Sequence, residues 1–305
     1  SRLDQMKKAI TTWKSRTISL FGRVHVIKTF IMSKIVFPAS VLPVPEDVRT
    51  QVKTMLFNYL WKGKRDKVKR SSVVSDVKNG GIKMLDIDAF FMSLKAAWVT
   101  KLINCEGKWS SLFHMVNEKL YFPSNYIWKI TVRNIEDFPV LKCFPLFYQD
   151  VVLAFNFSKY IKPLEFVNRY DALNEPLWGN TYFKRGGKCL HFKNWLRKGI
   201  YYVKNIIGED GKFLKDEAMF TILGNKGNTM GEIVTVKKHI FRLLKQLDLS
   251  SAKYTKIQEI PSLIFQNKRY HIINQKSKFF YNIIVNKKCS RSNMESIYAR
   301  NFNFP

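Results

Sequence analysis

The chain has 305 residues, a formal charge of +29, 46 % hydrophobic residues, 24 Phe and 7 Trp. That apolar content sustains a packed core and excludes a disordered polycation, and the length sets a prior of about two domains. A charge so far from neutral repels itself unless an anionic partner compensates it, which points to nucleic acid first and an anionic membrane surface second. Lys and Arg outnumber Asp and Glu by 16 to 4 over residues 1–70, by 9 to 8 over 71–150 and by 27 to 11 over 151–305, so a near-neutral middle separates two basic parts.

The pattern is helical from the first residues, without an initiator Met, and the chain is expected to start within something larger. A helix over 3–15 is predicted from Leu3, Met6, Ile10 and Trp13, spaced by three and four. A second, Ser19 to Val36, carries Leu20, Val24, Ile27, Ile31 and Ile35 on one face and His25, Thr29 and Ser33 opposite, with Pro38 expected to stop or kink it. Pro45, Glu46 and Asp47 mark the start of a third, in which Val48, Val52, Met55, Leu56 and Tyr59 form the buried stripe. It is expected to end near Trp61, with Gly63 just past the end where glycine is favoured. Asn79-Gly80-Gly81 reads as a turn flanked by short strands, and Asp86 as the N-cap of a helix through Ile87, Phe90, Phe91, Leu94 and Trp98. Further helices are predicted over 108–120, 146–170, 193–207, 232–247 and 275–285, with loop and short strands in the glycine- and aromatic-rich text from 174 on. The class is mainly α: a helical bundle over 1–62, a basic loop, Gly-Gly turn and helix over 63–104, and a C-terminal helical region over 105–305.

Chemistry-bearing motifs are sparse. Two-metal catalysis needs clustered carboxylates, but the close pairs Asp86/Asp88 and Glu209/Asp210 read as a helix cap and a loop. No glycine-rich phosphate loop occurs, and the five histidines are scattered. Cys189 and His191 lack the further pair a zinc site requires. The cysteines (105, 143, 189 and 289) are widely spaced without a CxxC and read as reduced thiols of an intracellular, non-secreted protein. The most apolar stretch, Thr29 to Val44, contains Lys34, Pro38 and Pro43, so no integral membrane segment is expected.

The densest charge is in "FNYLWKGKRDKVKR", where Lys62, Lys64, Arg65, Lys67, Lys69 and Arg70 follow the apolar Phe57, Tyr59, Leu60 and Trp61. Such a run suits a phosphate backbone; a solvated loop or a nuclear-import signal has the same composition. Arg23 and Lys28, beside the second helix's stripe, either snorkel along it or line a groove. Lys268, Arg269, Lys276 and Lys278, set among Tyr270, Phe279, Phe280 and Tyr281, make a second candidate surface where bases could stack. The tryptophans other than Trp13 read as core.

"WKSRTISLFGRVHVIKTFIMSKIVFPASVLPVPEDV" (Trp13 to Val48) resembles the segment after the palm in LINE-type, non-LTR retrotransposon reverse transcriptases. The likeness rests on Trp13, Arg16, Ile18-Ser19-Leu20, Gly22-Arg23, Ile27-Lys28 and Pro43 to Pro45. It continues through the basic run, through Gly80, Gly81, Asp86, Leu94, Lys95 and Trp98, and, more weakly, through "PLWGN", "FKNWLRKGI" and "GKFL". The resemblance implies a thumb that grips the template–primer duplex, with Arg16 joining the candidate contacts, and a following region that binds element RNA and target DNA. It also implies a palm upstream, whose aspartates would use Mg²⁺; no cofactor and no catalytic residue are expected in this chain. The expected partners are RNA, an RNA/DNA hybrid or target DNA, in a ribonucleoprotein of nucleus or cytoplasm. A retroelement remnant without selected activity and a basic peripheral membrane protein are the alternatives.

Overall fold

The computed structural model describes residues 1–105, 107–159, 172–208, 210–224, 227–245, 262–265, 268–286 and 288. These residues are mainly α with a few short strands. They form two compact units, Ser1–Trp98 together with the described residues from Gln275 on, and Val99–Asn274. Neither border expected from the sequence, at 62/63 or 104/105, coincides with this division. The basic loop, the Gly-Gly turn and the helix after them belong with the N-terminal bundle.

In the first unit, α1 (Arg2–Lys14) is capped by Ser1, whose hydroxyl accepts from the Asp4 amide at 3.2 Å. Of its stripe, Met6 is fully buried and Leu3, Ile10 and Trp13 pack partly buried on the same core. Helix α2 (Leu20–Val26) starts at Ser19, whose hydroxyl accepts from the Gly22 amide at 3.1 Å. It passes into a π-helical turn, Ile27–Ile31, then α3 (Ser33–Val41), with a bend of 50° between the two arms. Pro38 was expected to stop or kink the helix; it lies inside α3, and the break falls six residues earlier. The cause is visible in the burial. Val26, Ile27, Ile31 and Met32 are all buried, two adjacent pairs five positions apart. A 3.6-residue turn cannot aim both pairs at one core. The wider π-turn, closed by Met32 N–H to Ile27 C=O at 2.9 Å, can.

Helix α4 (Glu46–Leu60) begins after Pro45 with two carboxylates in its first turn, which favours its positive dipole end. Its Val52, Leu56, Phe57, Tyr59 and Leu60 are buried. Short α5 (Arg70–Val74) follows the basic loop. No strands flank the Gly-Gly turn. Instead Ile82 and Met84 donate to Val73 C=O at 3.3 and 3.0 Å and Lys83 to Ser75 C=O at 3.0 Å, satisfying the carbonyls at the end of α5. Helix α6 (Ile87–Ala96) is capped by Asp86, whose carboxylate accepts from the Ala89 amide at 2.9 Å. The helix over residues 277–286 returns to this corner. The Tyr281 hydroxyl accepts from the Asp86 amide at 3.0 Å, and Lys288 Nζ reaches both Asp86 oxygens at 2.9 Å.

The second unit contains α7 (Trp98–Ile103, entered at the unit border), α8 (Gly107–Lys119) and α9 (Leu146–Ser158). There follow a two-residue hairpin, β1 (Lys184–Arg185) with β2 (Lys188–Cys189), and α10 (Lys193–Arg197). Then come α11 (Asp216–Leu223), α12 (Thr229–Lys245) and the hairpin β3 (Ser262–Phe265) with β4 (Lys268–His271), Ser262 facing His271. The helix predicted over 193–207 is shorter because Gly199, at φ 77°, closes it. The core is aromatic. Trp128, Trp178 and Trp195 are buried, Phe113 stacks on Trp128 at 4.8 Å, and the Trp178 and Trp195 ring nitrogens donate to Ile200 C=O and Glu232.

Gly81 is required by close approach rather than by φ: a Cβ there would sit 2.0 Å from the Ser75 carbonyl oxygen. Gly81→Ala is expected to cost about 2–3 kcal/mol through this backbone overlap. Gly80→Ala, where φ is 77° but no neighbour lies within 4 Å, should cost about 1 kcal/mol. Urea unfolding of the two variants measures the difference; equal costs would contradict the close approach.

Candidate nucleic-acid interface

The apolar half of "FNYLWKGKRDKVKR" is the end of α4. Phe57, Tyr59, Leu60 and Trp61 are buried, whereas every residue from Lys62 to Arg70 is exposed. The junction is a Schellman turn. Lys62 N–H donates to Tyr59 C=O at 3.3 Å and Gly63 N–H to Asn58 C=O at 2.7 Å. The left-handed residue of that motif is Lys62, at φ 56°, with Gly63 next at 78°. The expected terminating glycine is therefore one position too late, and a lysine takes the conformation that glycine favours.

The far end of the run is also held. Arg70 Nε donates to Asp66 at 2.7 Å, and its guanidinium lies 4.3 Å from the centre of the Phe57 ring on α4. Arg70 thus staples the returning chain to the helix it left. Lys62, Lys64, Arg65, Lys67 and Lys69 project from a loop fixed at both ends.

Arg23 leaves the candidate set. It is 8 % exposed; Nη1 donates to Leu60 C=O at 2.9 Å and Nη2 to Ile18 C=O at 3.1 Å. Leu60 ends α4, so Arg23 satisfies a carbonyl left open there and adds a positive charge to the negative dipole end. Arg16 is exposed, its guanidinium 4.5 Å from the Trp13 ring centre, and Trp13 in turn lies 4.9 Å from Phe30. Lys28 stands on the π-turn and is exposed as a residue. Burial, and then the charge of Lys83, nevertheless pull its ammonium below the ordinary lysine value. Lys83, at φ 55° and 3.0 Å from Asp76, is a neighbouring cation that sequence reading passed over because it sits alone, outside any basic run. The only signal was its place just after Gly80-Gly81.

The tail candidates fall in two different units. Lys268 is exposed on β4 in the second unit; Lys276 and Lys278 are exposed in the first. Arg269 pairs with Ile264 across the hairpin, and its side chain lies outside the described residues. Phe280 is fully buried and offers no stacking face, and the hydroxyl of half-buried Tyr281 is engaged by the Asp86 amide. Among the other tryptophans, Trp61, Trp128, Trp178 and Trp195 are buried, Trp98 is half-buried and Trp109 is 52 % exposed.

The carboxylates considered above serve structure. Asp86 caps α6, Asp88 lies 2.8 Å from Lys53, and Asp210 accepts from the Lys212 amide at 3.0 Å; Glu209 lies outside the described residues. Burial pushes the Cys189 thiol up to about 11 and His191, wedged between Phe122 and Phe138, down to about 4, with Lys193 adding to the latter. Among the described residues no group of three His, Cys, Asp or Glu could hold a metal ion. No single described helix is long and apolar enough to cross a membrane.

Two measurements follow. Lys62→Gly relieves a left-handed lysine and is expected to stabilise the chain by about 0.5–1 kcal/mol in urea unfolding; a loss of stability would contradict the turn. His191 binds its proton more readily when unfolded, so stability is full above about pH 6.5 and falls as pH drops toward about 4. The acid loss in unsubstituted protein should exceed that of His191→Phe by about 2–3 kcal/mol. Identical pH dependence would show that this ring is not buried neutral. No protein-family model matches the chain.

Proposed function

We propose that this chain is the thumb and C-terminal portion of a LINE-type reverse transcriptase, holding a template–primer duplex or element RNA by its phosphates. The observation that carries the reading is the basic loop between α4 and α5, five exposed cations on a base closed by a Schellman turn at one end and by Arg70 at the other. Its support in sequence is the motif series from Trp13 to Trp98. Contacts of this kind set register and affinity and carry little base information. A-form duplexes are gripped by shape and backbone in any case. Arg16, Lys28 and Lys83 are candidates to extend the grip. In this reading DNA synthesis, with its Mg²⁺, belongs to a palm upstream, and the chain acts within a ribonucleoprotein.

The test is binding to an RNA/DNA hybrid at several salt concentrations. Five to six phosphate contacts predict a log–log slope of about −4.5 to −5.5. Reversing Lys64, Arg65, Lys67 and Lys69 to Glu should reduce its magnitude by about 3–4. A slope near zero in the unsubstituted chain sinks the proposal, and an unchanged slope in the variant removes this loop from it.

A further inference from the structure

The first unit exposes apolar side chains that its own core does not use. On α3, Ile35 and Ala39 face the core, and Phe37, midway between them on the other side of the helix, is 73 % exposed. Leu42, at the end of α3, is 59 % exposed, and Phe30, on the π-turn, is 46 % exposed and packs on Trp13. Lone apolar residues on a surface are ordinary; three within residues 30–42 make the outside of one arm apolar. The charge around them has one sign. No Asp or Glu stands between Asp4 and Glu46, whereas Lys14, Arg16, Lys28 and Lys34 are all exposed. Lys34 lies one turn from Phe37 on the same face of α3, and the Arg16 guanidinium covers the Trp13 ring against which Phe30 packs.

Such an edge needs a partner that is both anionic and apolar. The outside of a nucleic-acid duplex offers phosphates but nothing for Phe37 and Leu42 to enter, and unpaired bases offer stacking, for which Leu42 has no ring. A bilayer with anionic headgroups offers both. The bent pair Leu20–Ile31 and Ser33–Val41 has the apolar composition of a membrane span, but no single helix is long enough to cross, and the 50° bend suits an edge lying in the interface. We propose that the outer edge of the α2–α3 arm is a docking surface for an anionic membrane, in which Phe37 and Leu42 enter the headgroup–acyl boundary while Lys34 and Arg16 meet lipid phosphates. Long cationic side chains reach back to the headgroups as their apolar neighbours go in. This surface is distinct from the basic loop after α4 and does not depend on the nucleic-acid reading.

The full chain is floated at physiological ionic strength with phosphatidylcholine–phosphatidylserine vesicles and with phosphatidylcholine alone. Binding is expected to the first and about tenfold weaker to the second. Phe37→Ser should weaken partition to the anionic vesicles about tenfold, and Leu42→Ser and Lys34→Gln about fivefold each. Phe241→Ser, at an exposed ring of α12 in the other unit, should leave partition unchanged. Both exposed-site serine variants of the arm should keep the unsubstituted urea midpoint and the unsubstituted affinity for an RNA/DNA hybrid. No binding to anionic vesicles overturns the proposal, as does full partition in Phe37→Ser and Leu42→Ser, or a loss shared by Phe241→Ser. A parallel loss of hybrid binding in Phe37→Ser assigns the ring to nucleic acid and overturns it too. Expected vesicle results from a chain that binds no hybrid uphold this surface and sink only the proposed function.

Discussion

The first unit depends on one buried charge. Arg23 joins the Ile18 carbonyl, just before α2, to the Leu60 carbonyl, at the end of α4, and so closes a loop of 37 residues from the inside. Removing a partner from a buried hydrogen-bonded charge is costly, because the carbonyls are left dry and unpaired. The arrangement constrains everything downstream. The Leu60 carbonyl, left open where α4 ends, is taken up by Arg23, which favours ending the helix at that point. The chain turns through Lys62 and Gly63, and the basic run leaves from that point. A positive residue that resembles a ligand contact in the sequence is instead the reason the cations beyond it have a fixed origin.

The acidic residues act in the same sense. Asp66 holds Arg70, Asp76 holds Lys83, Asp88 holds Lys53, and Asp86 holds Lys288 while capping α6. Exposed pairs of this kind contribute little stability individually. Their effect is on placement: Asp66, Asp76, Asp86 and Asp88 are each engaged by a cation, and Asp66, the one carboxylate within the 62–70 run, is taken by Arg70.

Helix positions were legible in the sequence because periodicity and caps are local: Ser19, Pro45 and Asp86 each stand where a helix begins. The departures all involve partners distant in sequence or non-local packing. The π-turn follows from two buried pairs five apart, which a 3.6-residue template reads as a regular stripe. The fate of Arg23 depends on a carbonyl 37 residues away, so neither its charge nor its neighbours could announce it. The tail's basic–aromatic mixture looked like one surface, but the unit border at Asn274 divides it, and Phe280 is core. The end near Trp61 was legible from the stripe, whereas the helix predicted to 207 runs past the stop that Gly199 makes; at Lys62 and Tyr121 the left-handed geometry is carried by side chains that do not advertise it.

Those non-glycine turns bear on how a loop can grip an extended anion. A left-handed lysine costs about 1 kcal/mol relative to glycine, and glycine would leave the departing chain freer to swivel. Side-chain and backbone ordering must be met on binding by whatever part of the loop is not already ordered. At Lys62 the cost is met in the free protein, by the two hydrogen bonds of the turn and the burial of Trp61 beneath it. Arg70 over Phe57 does the same at the other end. The cations between them keep their rotamer freedom but not the freedom of the main chain. In the proposed reading, a surface built this way follows a phosphate backbone whatever its bases and holds the duplex in one register. A free basic tail of equal charge would supply the attraction without the register.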